Sequence, residues 1–314
     1  MKINPDDTTH PSGTMRVLTA VAALMARPAV LISPSITMQV SSSSFNLEQA
    51  QLCAKACSVA FVPPQAMARE PYSADLECVA QVEDPVTHTG ATIFKIRSTG
   101  QLCIACRGSS GLRNFQTNLN IGPSPFALST GDAAHPTAKV HTGFQSATAA
   151  LWPLLERELP PPTAEPILVT GHSLGGGIAT LVALHLHASG RGPPQLVTVA
   201  GPRLGNAAFA DLYRERCPIS AVHLVHDGDT VALNVDVNQQ WDRLSFEHVG
   251  RVVRCAMDEP CVYEGDDVEQ RLAEVVAKQP SGPPSLSATF VEHCRYLGLY
   301  IGLRLEHPAA WLRL

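Results

Sequence analysis

Residues 167–177 have the sequence ILVTGHSLGGG, in which a short apolar run leads into a Gly-x-Ser-x-Gly motif. The β-branched residues and leucine before the motif predict a buried parallel strand. Apolar residues recur at helical spacing after the motif, at Ile178, Leu181, Val182 and Leu186. The serine is therefore predicted to occupy a sharp strand-to-helix turn, at which Gly171 and Gly175 leave room for the neighbouring backbone.

This turn makes Ser173 the candidate nucleophile, because its hydroxyl would be lifted clear of the fold. The N–H of Leu174 would lie in the first turn of the helix, where unpaired donors and the helix dipole stabilise a negatively charged oxygen. Leu174 is therefore a candidate oxyanion-hole donor. Gly-x-Ser-x-Gly also occurs in ordinary glycine-rich turns, and the strand-turn-helix context is what favours the catalytic interpretation.

Length and composition limit the class of protein. A chain of 314 residues can form one large α/β domain or two small ones. We expect one domain over residues 45–314 after an N-terminal extension over residues 1–44. Charged residues make up 16% of the chain and its net charge is −5, so no basic face for nucleic acid is predicted. No apolar run reaches the roughly twenty residues of a transmembrane helix, so we expect no transmembrane segment.

The N-terminal extension has the composition of a targeting segment. Residues 8–46 contain no Asp or Glu but carry Arg16 and Arg27. A charged start before a short apolar region resembles a secretory signal, and the Arg/Ser-rich character equally suits a transit peptide. We expect a secreted or organellar, plastid-like location. A disordered tail on a cytoplasmic protein is the alternative.

The cysteine pattern leaves the redox compartment open. The chain has nine cysteines, an odd number. Cys103 and Cys106 form a CxxC pattern, but they lie in an apolar β-like run in which residues three apart point to opposite faces. We interpret them as core thiols. Cys255 and Cys261 flank a short loop and form the best candidate disulfide.

Helices and strands are predicted to alternate along the chain. Helices are predicted over residues 45–60, 143–159 and 266–279, strands over 92–97, 102–106, 196–200 and 221–225, and a loop over 121–139. Alternating strands and helices predict a mainly parallel sheet flanked by helices. In such sheets, functional residues gather in loops beyond the carboxyl ends of the strands.

A serine nucleophile needs a histidine base and a carboxylate that orients it. Asp227 and Asp229 both follow the strand at 221–225, and the residues alone do not decide between them. Among the histidines, His293 is favoured because it lies in a loop near the chain end. His248 precedes an apolar run and is interpreted as a packing residue, as are the histidines on or beside the serine helix.

Four motifs occur in the order found in the fungal-type class 3 lipases, which this chain resembles over residues 45–305. They are Arg107-Gly108-Ser109-Ser110, Val140-His141-x-Gly143-Phe144, Gly171-His172-Ser173-Leu174-Gly175-Gly176, and Gly201-Pro202-Arg203-Leu204-Gly205-Asn206 followed by Phe209-Ala210. The resemblance implies an α/β-hydrolase fold. It also implies a catalytic triad of Ser173, Asp229 and His293, with His248 as a non-catalytic histidine.

The resemblance assigns two further features. Ser109 would complete the oxyanion hole with Leu174, although it could be a turn hydroxyl. The segment 111–119 would be a lid over the active site, with Leu112, Phe115 and Leu119 on one helical face. Ordinary core packing would give the same spacing. The chain departs from the family pattern at Ala232, where proline is usual, and at Phe246, where tyrosine is usual.

These observations predict a serine carboxylic ester hydrolase, a lipase that acts on acylglycerol-like lipids through an acyl-serine intermediate. Its expected partner is a lipid or ester substrate, met at a lipid–water interface. We expect no metal or organic cofactor. The alternatives are a galactolipid or phospholipid acyl hydrolase, and a lipase-like binding module without turnover.

Overall fold

A nine-stranded sheet organises the part of the chain that the computed structural model describes. The described residues are 39–40, 46–70, 72–107, 122–128, 135–162, 164–191, 194–217, 221–226, 229, 232, 246–255 and 261–263. The predicted helix over residues 266–279 lies outside this part, as do most of the N-terminal extension and the side chains of the predicted Cys255–Cys261 disulfide.

The described elements alternate along the chain. The first half contains β1 (Gln39–Val40), α1 (Leu47–Val59), α2 (Pro64–Met67), β2 (Leu76–Glu83), β3 (Gly90–Ile96), β4 (Leu102–Arg107), β5 (Pro123–Phe126), β6 (His135–His141) and α3 (Thr142–Glu158). The second half contains β7 (Ile167–His172), α4 (Leu174–Ala188), β8 (Pro194–Val199), β9 (Gly205–Asn206), α5 (Ala207–Arg216), β10 (Ala221–His226), β11 (Phe246–Glu247), β12 (Arg251–Cys255) and β13 (Cys261–Tyr263).

The large sheet has the strand order β1-β13-β12-β10-β8-β7-β4-β3-β2. Its centre is parallel, from β4 through β7, β8 and β10 to β12. The consecutive strands β2, β3 and β4 are antiparallel, and they form one side of the sheet. Strand β1 lies within the predicted extension and pairs with β13. The mainly parallel α/β architecture predicted from the alternation of elements is confirmed.

The two faces of the sheet bury separate apolar cores. Helix α1 packs on one face and contacts β4, β7 and β8, whereas α3 and α4 belong to the core on the other face. Within β4, Cys103 contributes to the core under α1 and Cys106 to the opposite core. Both thiols are buried, and burial raises the pKa of each. Their predicted role as core thiols is confirmed.

Local sequence signals determine where helix α1 begins and which of its faces is buried. The side chain of Asn46 accepts a hydrogen bond from the N–H of Gln49 at 3.0 Å, so it caps α1 as an N-cap residue. Small and apolar side chains at helical spacing face the sheet: Ala50, Cys53, Ala54 and Cys57. The helix ends at Val59, close to the predicted end.

Two strand regions were missed by the sequence analysis. Strand β2 lies at the edge of the large sheet and alternates irregularly between buried and partly exposed residues, so it lacks a clear apolar period. The predicted loop over residues 121–139 is wrong in part, because it contains β5 and the start of β6. These strands belong to a second sheet with the order β11-β9-β6-β5. Pro123 and Pro125 are tolerated there because β5 is its edge strand.

Helix α4 is buried on nearly all sides, since it contacts β4, β7 and β8 as well as α3. None of the helices described is long and apolar enough to cross a membrane.

Three buried histidines make this core sensitive to acid. Burial lowers the pKa of His185 and of His223 from 6.5 to about 4, and it lowers the pKa of His248 well below 6.5. The unfolded chain therefore binds more protons than the folded chain between about pH 4 and pH 6.5. The contribution of these neutral rings to the free energy of unfolding is therefore fully present above about pH 6.5. It decreases as the pH falls from about 6.5 to about 4.

We expect the free energy of unfolding to decrease between pH 7 and pH 5. His185→Phe keeps an aromatic ring on Trp152, whose ring centroid lies 4.9 Å from that of His185. This substitution should reduce the decrease in the free energy of unfolding between pH 7 and pH 5 by about 2 kcal/mol. Urea unfolding at pH 7 and at pH 5 measures the free energy of unfolding of each variant. His187→Phe, at an exposed position of the same helix, is the control, and equal pH dependence in the two variants would contradict the expectation.

Candidate active site

Ser173 lies at the turn between β7 and α4 and has a left-handed backbone conformation, with φ 57° and ψ −128°. A residue with a side chain rarely adopts such a conformation unless its surroundings enforce it. The Ser173 N–H donates to the carbonyl of Val199 at 3.0 Å, and its own carbonyl accepts from the N–H of Gly176 at 2.8 Å. These bonds anchor the turn to β8 and to the helix that follows.

The glycines of the motif allow close approach of backbone segments. A Cβ atom on Gly171 would lie under 3.0 Å from the carbonyl of Gly175, and one on Gly175 would lie as close to the carbonyl of Cys106 in β4. Real Cβ atoms essentially never come that close. Both glycines are therefore needed to place the first turn of α4 against β7 and β4, as the sequence analysis expected.

A second strained turn supports the first. Ala200 follows β8 with φ 56°, and its N–H donates to the carbonyl of Leu224 in β10 at 3.0 Å. A Cβ atom on Gly176 would lie 2.8 Å from Cα of Gly201, so the start of α4 packs directly on this turn. The sequence analysis quoted this Gly201 segment only as a family motif and did not predict its contact with the serine turn.

Leu174 begins α4, so its N–H belongs to the first helical turn, which has no earlier intrahelical acceptor. The side chain of Ser173 makes no capping hydrogen bond to this helix. The geometry thus places an N-terminal helix amide next to a serine hydroxyl that is not used as a cap. That arrangement can stabilise negative charge on an oxygen bound beside Ser173.

Asp229 follows β10 and is fully buried. One of its carboxylate oxygens accepts a hydrogen bond from the N–H of Ala232 at 3.3 Å. Strand β8 separates β7 from β10, and adjacent strands are about 4.8 Å apart, so the ends of these two strands lie roughly 10 Å from each other. Asp229 and Ser173 therefore share one edge of the sheet. Asp227 lies outside the described residues.

A cluster of polar side chains lies behind the Asp229 turn. The His248 ring hydrogen-bonds the backbone of Ala232. Its centroid lies 4.7 Å from that of His223, whose Nδ1 is 2.7 Å from the Thr198 hydroxyl. Burial is the main cause of the lowered pKa of His248, with smaller contributions from the charges of His223 and Arg203. The sequence analysis treated His248 as a packing residue and did not identify His223.

An ion pair crosses three strands at the end of β4. Arg107 and Glu83 are both aligned with Gly90 in the sheet register, one on each side of it. The Arg107 guanidinium lies over Gly90 and pairs with Glu83. A Cβ atom on Gly90 would lie 2.6 Å from Arg107 Nε and 2.9 Å from the carbonyl oxygen of Val82, so glycine leaves room here for the ion pair.

Several predicted site residues lie outside the part of the chain that the structure describes: Ser109, Leu112, Phe115, Leu119 and His293. Their roles stay predictions. Of the predicted residues, the structure places Ser173, Leu174 and Asp229 at the same edge of the sheet. Among the described residues, no three His, Cys, Asp or Glu side chains are grouped so as to hold a metal ion.

Comparison with known proteins agrees with this geometry. Residues 103–236 match the family model described as lipase (class 3). Over 155 residues the chain is 33% identical to the secreted mono- and diacylglycerol lipase 1 of Fusarium solani, which covers 48% of this chain and 44% of that protein. Residues 103–236 are thus similar to the class 3 lipases. The aligned region thus spans less than half the length of its Fusarium relative.

Solved lipase structures share the fold of this chain. The triacylglyceride lipase of Rhizomucor miehei superposes with a TM-score of 0.62 at 21% identity, over 83% of this chain and 98% of the other. A triacylglycerol lipase described as having a serine protease triad at its catalytic centre superposes with a TM-score of 0.54 at 24% identity, over 68% and 81% of the two chains. The fold is that of an α/β hydrolase, as predicted.

Replacement of Gly175 tests the close approach at the serine turn. Gly175→Ala should lower the free energy of unfolding by about 3 kcal/mol, because the new methyl group meets the backbone of β4, which cannot move aside easily. Chemical denaturation measures the change. Gly122→Ala is the matched control, since a Cβ atom there would have no neighbour within 4 Å among the described residues. Equal stability of the two variants would show that the turn tolerates a side chain.

Proposed function

We propose that this protein is a class 3 lipase, a serine carboxylic ester hydrolase that acts on acylglycerol-like lipids. The observation that carries the proposal is the strained Ser173 turn, with the Leu174 N–H at the helix start beside it. The Fusarium relative is a mono- and diacylglycerol lipase, which supports the substrate class.

In the proposed mechanism, Ser173 Oγ attacks the ester carbonyl carbon while His293 removes the hydroxyl proton. Asp229 accepts a hydrogen bond from His293, which holds the productive tautomer and stabilises the imidazolium. His293 then protonates the departing alcohol, leaving an acyl-serine. A water molecule, deprotonated by the same histidine, hydrolyses that ester and releases the fatty acid. The triad described for a structural neighbour supports this assignment.

Charge on the tetrahedral oxygen would be stabilised by the Leu174 N–H and by Ser109. The position of Leu174 in the first turn of α4 supports its role. Ser109 lies two residues beyond Arg107, whose side chain is held by Glu83 at the end of β4. An anchored strand end favours accurate placement of the residues that follow it.

We further propose that residues 111–119 form a lid whose Leu112, Phe115 and Leu119 side chains settle on a lipid–water interface. The helical spacing of these apolar residues supports the proposal. Residues 45–314 would be the hydrolase domain, and residues 1–44 a targeting extension. Secretion is favoured by the acid-poor extension and by the secreted relative, and import into an organelle is the alternative.

Substitution of the proposed triad tests the mechanism. Ser173→Ala should abolish ester hydrolysis and labelling by a fluorophosphonate probe. Asp229→Asn should lower kcat by about 10⁴-fold, because the histidine loses its orienting carboxylate, and His293→Ala should lower kcat at least as strongly. Ser189→Ala, at the other end of α4, should retain full activity. A folded wild-type protein that is not labelled would instead support the binding-module alternative.

A substrate panel tests the lipid class. Emulsified diacylglycerol should be hydrolysed faster than phospholipid or galactolipid, and the rate should rise sharply once a short-chain glyceride exceeds its solubility, because the lid then opens at the interface. Titration of the released fatty acid at constant pH measures both the substrate preference and the dependence of the rate on substrate concentration. Preference for phospholipid or galactolipid would overturn the acylglycerol assignment, and a smooth rate curve would overturn the proposed lid.

A further inference from the structure

We propose that His248 and His223 are positioning residues, which hold the Asp229 turn in register with the Ser173 turn through a buried bridge that ends at Thr198. The inference rests on the proposed function, because it gives these residues an effect on catalysis. It concerns side chains that the proposed mechanism does not use.

The first link joins His248 to the acid turn. The His248 ring hydrogen-bonds the backbone of Ala232. Among the residues that the structure describes, His248 Nε2 has no hydrogen-bond partner, so we assign this bond to Nδ1–H, which donates to the Ala232 carbonyl. The N–H of the same residue, Ala232, donates to the Asp229 carboxylate at 3.3 Å. A single peptide segment therefore contacts the positioning histidine on one side and the catalytic carboxylate on the other.

The second link joins the two histidines to β8. The rings of His248 and His223 lie 4.7 Å apart at 31°, and both side chains are buried. His223 is on β10, and its Nδ1 hydrogen-bonds the hydroxyl of Thr198 on the neighbouring strand at 2.7 Å. Two neutral rings thus connect the Ala232 segment to β8, while Arg203 is the charged group whose electrostatic influence reaches His248.

The third link joins Thr198 to the serine turn. A Cβ atom on Gly201 would lie 3.0 Å from Thr198 Oγ1, and one on Gly176 would lie 3.3 Å from Thr198 Cβ. The Thr198 side chain therefore lies beside Gly201 and Gly176 and fills the space that a side chain at either position would need. The bridge thus runs from the acid turn to the first turn of α4 without leaving the core.

The composition of the bridge favours this interpretation over ordinary packing. Within the described part of the chain, the Nε2 atoms of His223 and His248 are both buried without a hydrogen-bond partner. Apolar side chains of similar size would not carry this energetic cost. What the imidazoles add is the pair of directional hydrogen bonds at Nδ1. A catalytic triad needs its groups placed within about 0.5 Å, and loops that follow different strands do not provide that accuracy by themselves.

The test compares two replacements of His248. His248→Phe keeps a ring beside His223 but removes the donor to Ala232, whereas His248→Asn can place an amide N–H where Nδ1–H lies. On a soluble p-nitrophenyl ester, His248→Phe should lower kcat at least tenfold with KM changed less than twofold. His248→Asn should recover most of that loss. His185→Phe, the matched buried histidine stacked on Trp152, should leave kcat unchanged.

A double-mutant comparison shows whether the effect passes through the carboxylate. In an Asp229→Asn background, His248→Phe should reduce kcat less than twofold further, because the group that it positions is already lost. A full tenfold loss in that background would overturn the proposal, as would wild-type kcat in the single variant. If His248→Phe does not fold, Thr198→Val tests the other end of the bridge, and it should lower kcat about fivefold at unchanged KM.

The outcomes separate this inference from the proposed function. If wild-type protein hydrolyses the ester and Ser173→Ala does not, the proposed function stands whatever the His248 variants show. If Ser173→Ala retains the wild-type rate, the proposed function fails independently of the bridge.

Discussion

The structure depends on one close approach, in which the first turn of α4 lies directly against β7, β4 and the turn after β8. That approach requires hydrogen in place of a side chain at Gly171, Gly175 and Gly176. It also holds Ser173 in a left-handed conformation that a free chain would rarely adopt. The same contact orients the helix dipole toward the serine, so strain, packing and electrostatics at the site have a common origin.

The parallel strands at the centre of the sheet bring the serine turn next to the other turns of the candidate site. Strands β7, β8 and β10 are neighbours, and their carboxyl ends carry the serine turn, the Ala200 turn and the Asp229 turn. Backbone hydrogen bonds connect these turns to adjacent strands, from Ser173 to Val199 and from Ala200 to Leu224. Each turn is consequently set by the register of the sheet, which the two apolar cores maintain from opposite faces.

Buried polar groups are concentrated at the same edge. Asp229 is fully buried, and His223, His248 and Thr198 form a buried cluster connected to its turn through Ala232. Low solvent access strengthens hydrogen bonds and also makes unpartnered polar atoms costly, so such a cluster has little tolerance for misplacement. The rigid packing around it explains how a site can be built from turns rather than from the strands themselves.

Local sequence determined the elements whose signals lie within one segment. The Asn46 cap, the β3–β4 hairpin, the alternating faces of Cys103 and Cys106, and the glycine-lined turn at Ser173 all follow from propensity, periodicity or steric need. Edge strand β2 and the proline-containing β5 carried no such signal. Only the tertiary structure brought His223 and His248, which are distant in sequence, into ring contact and connected them to Thr198. The physical reason is that strand pairing and burial, which create these contacts, depend on the whole sheet and not on neighbouring residues.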